Sequence, residues 1–130
     1  MRVLILHMRY WPDATGTGPL VKELADDLVA MGEQVTVVTS VPHYGRGEPT
    51  TAYRGRVFYR SNESGVDVLR TASLGSTLSS PAARAIDYWA FTLLATLAGL
   101  GSSRPDVILC IAPPFTVGLA GWIIRLLKRA

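Results

Sequence analysis

Three short runs of branched apolar residues are spaced along the chain and are separated by longer segments of mixed polarity. The runs lie at Val3–Leu6, Val35–Thr39 and Val107–Ile111. A continuous apolar run of this length is typical of a strand that is covered on both faces of a parallel sheet. We therefore predict three buried strands, with Val3–Leu6 at the centre of the sheet.

Helical spacing follows the first run. Apolar residues recur every three or four positions, charged side chains lie on the opposite side, and Gly32 provides a C-terminal cap. The apolar positions are Leu20, Val21, Leu24, Ala25, Leu28 and Val29. This helix and the two strands beside it have the length that a parallel crossover requires, and we expect the crossover to be right-handed.

Two more helices are predicted in the second half of the chain. One begins at about Pro81, with Ser80 as its N-cap, and ends near Leu100, whereas the other covers Phe115 to Arg129. We expect the first of them to pack on the sheet through an apolar seam, and the apolar side of the second to be covered by the sheet. The seam consists of Ile86, Trp89, Leu93, Leu97 and Leu100.

Residues 41–56 contain the densest cluster of proline and glycine and predict a long loop. Residues 57–60 and 66–70 then predict a short pair of strands around Ser61–Gly65. Because strands and helices alternate, the predicted fold class is α/β, a doubly wound parallel sheet with helices on both faces. A chain of this length suits one core, and we assign residues 1–130 to a single domain.

Net charge and cysteine content indicate which kinds of binding partner and which cellular compartment to expect. The formal net charge of +3 comes from scattered arginines rather than from a basic stripe, so we predict no nucleic-acid partner and favour either a phosphate-bearing partner or an anionic membrane. The single cysteine, Cys110, excludes an internal disulfide and favours a reducing compartment. We expect Cys110 to be a buried, unreactive thiol because it lies in an apolar run.

Neither a secretory signal nor a membrane span is predicted. The N-terminal apolar run is too short for a signal, and residues 88–103, although uncharged, fall short of the about 20 residues that a spanning helix needs. We therefore predict a cytoplasmic protein. Trp89 and Phe91 favour core packing of this segment, and the alternative is a peripheral contact with the inner face of the membrane, flanked by Arg84 and Arg104.

Four residues between the first strand and the first helix form the best candidate ligand site, namely Thr15, Gly16, Thr17 and Gly18. Ligands of doubly wound sheets bind at the carboxyl ends of the strands, where helix N-termini converge. The free amides and the dipole of the helix favour an anion, and glycine lets the anion approach the backbone. We predict an anion site with the threonines as hydroxyl donors. The alternative is that Thr17 caps the helix and the glycines only form the turn.

Two common phosphate-binding motifs do not fit this segment. A dinucleotide-binding fingerprint would need a third glycine where Val21 stands, and an acidic residue after the second strand, where the chain has Ser40. A P-loop would need a Gly-Lys-Ser or Gly-Lys-Thr sequence, which does not occur. A dinucleotide-dependent dehydrogenase and a P-loop NTPase are therefore disfavoured.

The chain resembles a known family in four segments that follow one another at the family's spacing. They are VLILHMRYWPDATGTG at 3–18, ELADDLVAMGEQVTVVTSVPHY at 23–44, YRGRVFYRSNESGVDVLR at 53–70 and RPDVILCIAPPFTVGLAG at 104–121. These segments resemble the N-terminal half of family 4 glycosyltransferases with the GT-B fold, especially those of bacterial polysaccharide assembly. The resemblance implies a Rossmann-like domain that forms one half of a GT-B fold.

The resemblance also implies roles for individual residues. In that family the first glycine-rich loop borders the cleft between two domains, where it approaches the transferred sugar or the donor phosphate, and Gly16, Thr17 and Gly18 take this role here. The nucleotide-sugar donor is a substrate held mainly by a C-terminal domain outside this sequence, and neither a metal nor a cofactor is implied. Ala112 and two prolines stand where many relatives carry His or Asp, so no catalytic residue is assigned.

Other polar residues near the predicted strand ends each have two interpretations. Asp13 either lines the cleft or stabilises a Pro-Asp turn, and His43 either contacts an acceptor or is an exposed loop residue. His7 is expected to hydrogen-bond to backbone at the end of the first strand. The arginines of residues 54–60 either meet a diphosphate or lipid headgroups, or form a solvated basic face.

Three functions are consistent with these observations, and we predict the first. It is the N-terminal domain of a glycosyltransferase that moves a sugar from a nucleotide-sugar to a glycan or polyprenyl-diphosphate-linked acceptor, and that is inactive alone. The second is a non-catalytic module or subunit that completes a cleft with a separate partner. The third is a small nucleotide-binding protein that is unrelated to sugar transfer and binds phosphate tightly by itself.

Overall fold

The computed structural model describes residues 1–11, 17–41, 56–72, 80–112 and 115–129. Within these residues the chain forms five strands and three helices. The strands are β1 (Arg2–Leu6), β2 (Gln34–Ser40), β3 (Phe58–Glu63), β4 (Val66–Thr71) and β5 (Val107–Cys110). The helices are α1 (Gly18–Ala30), α2 (Pro81–Gly101) and α3 (Val117–Lys128).

The five described strands form one sheet in the order β3, β4, β2, β1, β5. β1 runs parallel to its neighbours on both sides, so that Val3 lies opposite Val35 of β2 and Val107 of β5. β2 and β4 are also parallel, whereas β3 pairs with β4 in the antiparallel direction. The predicted parallel sheet is confirmed, with one antiparallel strand added at its edge.

Both faces of β1 are buried, as its continuous apolar run predicts. Val3 and Ile5 belong to a core beneath α1, and Leu4 and Leu6 belong to a second core beneath α2 and α3. Strand residues alternate between the two faces of a sheet, which is why neighbours in β1 enter different cores. Helices on both faces of a mostly parallel sheet confirm the predicted α/β, Rossmann-like fold.

Local capping rules account for the helix ends. Ser80 accepts a hydrogen bond from the amide of Ala83 at 3.2 Å, and Pro81 is the first residue of α2, as predicted. α1 begins at Gly18 and is followed by Gly32, whose φ of +90° lies in the region that favours glycine. The amide of Gly32 donates to the carbonyl of Val29 at 2.9 Å.

The predicted strand pair is also confirmed. β3 and β4 form a hairpin whose turn contains Ser64 and Gly65, and the Asn62 side chain accepts a hydrogen bond from the Gly65 amide at 3.1 Å. The long loop predicted for residues 41–56 lies mostly outside the described residues, which resume at Arg56.

The seam predicted for α2 is wrong at four of its five positions. Ile86, Trp89, Leu93 and Leu97 are each at least half exposed, and only Leu100 packs against the core. The buried residues of α2 are instead Ala83, Phe91, Thr92, Ala95, Thr96 and Gly99. Small residues occupy the buried side of α2 because they let the helix approach its neighbours closely. Gly99 is an example, since a Cβ at this position would collide with Ile124 of α3.

Two buried threonines are compatible with this packing because their hydroxyls are bonded within α2. Thr92 donates to the carbonyl of Tyr88 at 2.8 Å, and Thr96 donates to the carbonyl of Thr92 at 2.7 Å. A helix carbonyl four residues earlier is a standard acceptor for threonine, so burial leaves neither hydroxyl hydrogen unpaired.

The prediction of a third fully buried strand is wrong as well. β5 is an edge strand among the described residues, its first three residues are half-buried, and Cys110 is exposed rather than buried. Sγ of Cys110 lies against Gly121 of α3, and this partial desolvation raises the pKa of the thiol. The expected burial of Cys110 is therefore wrong. Its expected weak reactivity stays a prediction, and the raised pKa supports it because the thiol is less readily ionised.

The apolar side of α3 is likewise divided. Val117, Ala120 and Ile124 are buried against the sheet and α2, whereas Leu119 and Trp122 face away from the core and are exposed. Across the described residues, no helix is both long and apolar enough to cross a membrane.

Candidate functional site

Three residues that are distant in the sequence meet at the carboxyl edge of the sheet. His7 directly follows β1, Ile111 directly follows the neighbouring strand β5, and Thr17 immediately precedes α1. The carboxyl ends of adjacent parallel strands lie side by side, and a helix that returns from one of them begins above the same edge. The topology therefore places Thr17 over the end of β1, where the sequence predicted the candidate site.

His7 is buried and bonded through both ring nitrogens. Nδ1 lies 2.9 Å from the carbonyl oxygen of Ile111, and Nε2 lies 2.5 Å from Oγ1 of Thr17. A carbonyl oxygen can only accept, so Nδ1 must carry the hydrogen. The expectation that His7 bonds to backbone at the end of its strand is confirmed, and the bond to Thr17 is additional.

Burial lowers the pKa of His7 below its ordinary value of 6.5, and the positive charge of Arg9 acts in the same direction. The hydrogen bond to the Ile111 carbonyl opposes these two effects without reversing them. His7 is therefore neutral at pH 7, with hydrogen on Nδ1 and a lone pair on Nε2.

The neutral His7 determines what the Thr17 hydroxyl can do. Because Nε2 of His7 has no hydrogen, the bond between the two residues is made by the hydrogen of Thr17 Oγ1. Both lone pairs of Oγ1 then remain for other partners, and no hydroxyl hydrogen does. The expected role of Thr17 as a hydroxyl donor to an anion is therefore wrong, and its side chain is suited to accept from a ligand O–H or N–H.

The alternative that the Thr17 side chain caps α1 is also wrong. Thr17 is at the N-cap position of α1, yet its side chain makes no capping hydrogen bond, because the hydroxyl is directed at His7. Its carbonyl accepts from the amide of Val21 at 3.0 Å and so begins the helix. The first turn of α1 contains no acidic residue, which leaves the positive end of the helix dipole without a side-chain counter-charge in that turn.

A second buried polar group holds the chain on the other side of residues 12–16, at Trp11. Arg70, near the end of β4, is only 1% exposed, and its Nη2 donates to the carbonyl of Trp11 at 2.7 Å and to Oε2 of Glu63 at 3.1 Å. Its guanidinium also lies over the ring of Tyr10, 5.8 Å from the centroid. The segment that enters residues 12–16 is thus fixed at Trp11 by Arg70, and the segment that leaves them is fixed at Thr17 by His7.

Sequence reasoning missed Arg70, although a signal was present. In β4 it follows Val66 and Val68 at a spacing of two, which places it on the same inward face. A charged residue at such a position must be paired, and Glu63 supplies the opposite charge. Burial, together with the charges of Asp26 and Glu63, raises the pKa of neighbouring Tyr10 to about 12, so the phenol is neutral at pH 7.

Most of the other predicted site residues cannot be located in this arrangement. Asp13, Thr15, Gly16 and His43 lie outside the described residues, so their proximity to Thr17 stays a prediction. Gly18 is described and is the buried first residue of α1, directly beside Thr17.

Among the described residues of the site, none is free to act as a general base. Both nitrogens of His7 are engaged with Ile111 and Thr17, and the residue after Ile111 is Ala112. α3 begins at the same edge, where Phe115 is 92% exposed and the hydroxyl oxygens of Thr116 and Thr92 lie 2.6 Å apart, within hydrogen-bond distance. In the described stretches of the chain, no group of three or more metal-ligating side chains is present.

The amino edge of the sheet contains a pocket of about 230 Å³, on the side opposite to Thr17. Its lining includes Arg2, Glu33 and Asp67. Glu33 is paired there with the N-terminal amine at 2.6 Å, and Arg2 lies 3.7 Å from Asp106. These charges balance one another locally, and the strands of a doubly wound sheet present their ligand site at the other end.

Comparison with known proteins identifies the domain. The sequence model of the glycosyl transferase 4-like domain matches residues 15–130. The chain belongs to this family. The family that the four sequence segments predicted is thereby confirmed, and the candidate site is a feature of a glycosyl transferase 4-like domain.

One relative shows how much of a longer protein the chain corresponds to. The chain is 27% identical over 118 residues to the "Putative colanic acid biosynthesis glycosyl transferase WcaI" of Escherichia coli strain K12. The match covers 87% of this chain and 28% of that protein. The chain therefore spans less than a third of the length of this relative.

Proposed function

We propose that the chain is the acceptor-side half of a GT-B glycosyltransferase. The complete enzyme would transfer a sugar from a nucleotide-sugar to a hydroxyl of a glycan or of a polyprenyl-diphosphate-linked acceptor. Membership of the glycosyl transferase 4-like family supports the reaction class, and similarity to a protein named for colanic acid biosynthesis supports a polysaccharide product. We place the activity on the cytoplasmic side of the membrane.

The observation that carries this proposal is the hydrogen-bond chain from Ile111 through His7 to Thr17. It leaves Oγ1 of Thr17 as an acceptor beside the N-terminus of α1. A sugar hydroxyl can donate to that oxygen, while the end of the helix stabilises negative charge that develops on the departing diphosphate. Thr17 and Gly18 would thus contact a sugar and a phosphate group at the same place.

The remaining predicted residues complete the proposed site. Thr15 and Gly16, which lie between the fixed residues Trp11 and Thr17 in the sequence, would supply further polar contacts, and Asp13 and His43 would contact the acceptor. We propose that amides and cations neutralise the diphosphate, with no cofactor and no catalytic metal, and that the donor nucleotide is bound mainly by a C-terminal domain or a partner subunit. The chain alone would therefore show little or no turnover.

A second candidate function is a non-catalytic subunit that completes a cleft with a separate partner. The observation in its favour is the edge strand β5, which is half-buried and borders a groove of about 410 Å³ lined in part by Ile108, Cys110 and Trp122. A further strand added to this edge would pair the outward backbone groups of β5.

Reconstitution separates these functions. The chain is mixed with the C-terminal half of a glycosyl transferase 4-like protein, and release of uridine or guanosine diphosphate from nucleotide-sugars is measured in the presence of a lipid-linked acceptor. Release that needs both halves and falls in Thr17→Val, but not in Thr17→Ser, supports the proposal. Release that is unaffected by Thr17→Val, or tight binding of a nucleoside diphosphate by the chain alone, contradicts it.

A further inference from the structure

The hydrogen bond between Thr17 and His7 can run in either direction. A neutral His7 accepts at Nε2, so the Thr17 hydroxyl donates its hydrogen inward. A protonated His7 carries a hydrogen on each ring nitrogen, so Nε2 donates and Oγ1 of Thr17 accepts. Because Nδ1 donates to the Ile111 carbonyl in both states, the ring keeps its place and only the direction of the bond to Thr17 changes.

This reversal changes what Thr17 offers to a ligand, which can reach it because Thr17 is only half-buried. With His7 neutral, the outward side of Oγ1 presents lone pairs, which suit a group that donates, such as a sugar hydroxyl. With His7 protonated, one lone pair is taken by the hydrogen on Nε2, and the hydroxyl hydrogen of Thr17 turns outward. One proton from solvent is bound in the change, and no other group gains or loses one.

The start of α1 favours an anion at that outward hydrogen. The first turn of α1 contains no acidic side chain, and Thr17 precedes the buried Gly18 there. An ionised phosphate or sulfate oxygen has no hydrogen, so it is opposed by the lone pairs of Thr17 in the neutral state and bonded by the hydroxyl in the protonated state. The two states therefore suit two different classes of ligand group.

The charges around His7 decide when the change occurs. His7 lies on the α1 side of the sheet, as Val3 and Ile5 do, and the part of β2 beside it carries no titratable side chain. The titratable groups of the segments around it are Arg9, Tyr10, Lys22, Asp26, Glu63, Arg70 and Cys110. Lys22 pairs with Asp26 at 2.7 Å and Arg70 with Glu63 at 3.1 Å. The pKa values of Tyr10 and Cys110 are raised, so both are neutral at pH 7. Arg9 lowers the pKa of His7, as burial does, so His7 takes up its proton below pH 6.5.

We propose that His7 and Thr17 form a proton-operated switch, which binds a sugar hydroxyl when His7 is neutral and an oxyanion, such as a departing diphosphate, when His7 is protonated. His7 is a positioning residue in this scheme, because it acts on the ligand through Thr17. The identity of the two ligands rests on the proposed function. At pH 7 the switch would hold the sugar and release the diphosphate, whereas acidification would retain the diphosphate and slow turnover.

Sulfate is a suitable probe because it has no hydrogen to donate and keeps its charge over the range in which histidine titrates. Its binding to the 130-residue chain is followed by NMR through the amide signals of Thr17 and Gly18, with chloride keeping the ionic strength constant. We expect the affinity for sulfate to rise about tenfold as the pH falls below 6.5 and His7 is protonated.

The two histidines of the chain provide a matched pair of variants. His7→Gln removes the titrating group and should lose the rise in sulfate affinity, whereas His43→Gln should keep it. Arg9→Gln should move the rise to higher pH, because the positive charge of Arg9 lowers the pKa of His7. Each NMR spectrum also shows whether the variant is folded, and Arg9→Gln tests the proposal even if His7→Gln does not fold.

Variants of Thr17 separate the hydroxyl from the charge of His7. Thr17→Val keeps the histidine and should lose most of the rise, and Thr17→Ser should retain it. The proposal is overturned if sulfate affinity does not change with pH, if the rise persists in His7→Gln, or if it is complete in Thr17→Val. Failure of the reconstituted enzyme to transfer sugar would contradict the proposed function alone, since sulfate binding is measured without a nucleotide-sugar.

Discussion

The Thr17 hydroxyl donates its hydrogen to Nε2 of His7 across 2.5 Å, and the opposite nitrogen of His7 donates to the Ile111 carbonyl across 2.9 Å. This relationship connects the start of α1 to the ends of two adjacent strands. It also fixes the direction of the Thr17 hydroxyl, so the chemistry offered to a ligand is decided by a buried neighbour that the ligand need not touch. The first two predictions concern this pair.

Replacing Thr17 by valine should weaken ligand binding and leave His7 without its hydrogen-bond donor. The loss of one neutral hydrogen bond to a sugar hydroxyl corresponds to about tenfold in affinity or transfer rate. The unpaired Nε2 of His7 adds a cost of about 1–3 kcal/mol in unfolding free energy. Thr17→Ser keeps the hydroxyl and should preserve both quantities, as measured by transfer in the reconstituted enzyme and by urea unfolding. Equal behaviour of the two variants would contradict the assigned role.

Stability should depend on pH through His7. Burial holds the pKa of His7 below 6.5 in the folded protein, so just below pH 6.5 the unfolded chain binds a proton at this residue that the folded chain does not. The contribution of His7 to the unfolding free energy is therefore full above about pH 6.5 and decreases as the pH falls through that value towards the folded-state pKa. His7→Gln lacks the titration, and the difference between the two unfolding free energies should shrink at low pH. Parallel curves would show that His7 is not buried in neutral form.

Removing the charge of Arg70 should be far more damaging than removing that of Arg60. Breaking a buried ion pair from one side costs about 3–5 kcal/mol, because Glu63 and the Trp11 carbonyl lose their donor. Arg60 makes two bonds to Asp67, at 2.8 and 2.9 Å, but its side chain is 68% exposed, and an exposed pair contributes about 1 kcal/mol or less. Denaturant unfolding of Arg70→Met and Arg60→Met compares the two. Similar losses would mean that Arg70 does not hold the chain at Trp11.

Two glycines of α3 should respond to alanine in opposite ways. A Cβ at Gly121 would collide with Sγ of Cys110, whereas a Cβ at Gly118 meets nothing within 4 Å. Gly121→Ala should therefore cost about 1–3 kcal/mol. Gly118→Ala should stabilise the helix by about 0.5–1 kcal/mol. Adding Cys110→Ala should recover most of the Gly121→Ala loss, which thermal unfolding of the double-mutant cycle measures. No recovery would place the clash elsewhere.

Local rules account for the parts of the fold that the sequence predicted well. The Ser80 cap, the glycine that follows α1 and the β3–β4 hairpin each depend on residues within a few positions of one another. β1 was predictable for a related reason, because a strand covered on both faces needs apolar residues at every position.

Packing between distant segments accounts for the parts that were missed. α2 is apolar on both sides, so periodicity could not decide which side meets the sheet, and the choice depends on close packing such as that of Gly99 against Ile124 of α3 and Leu4 of β1. The same holds for the site. His7 meets the Ile111 carbonyl 104 residues away, and Arg70 meets the Trp11 carbonyl 59 residues away. In each contact the acceptor is a backbone carbonyl, which every residue has, so the local sequence does not identify both partners.

α2 keeps its small and hydroxyl-bearing residues towards the sheet, whereas Leu93 and Leu97 face away from it. The residues that pack α2 onto the sheet are consequently different from those that it exposes to solvent. Replacing Leu93 and Leu97 with glutamine should reduce aggregation when the protein is concentrated for crystallisation. The melting temperature should stay unchanged, because neither side chain belongs to the core.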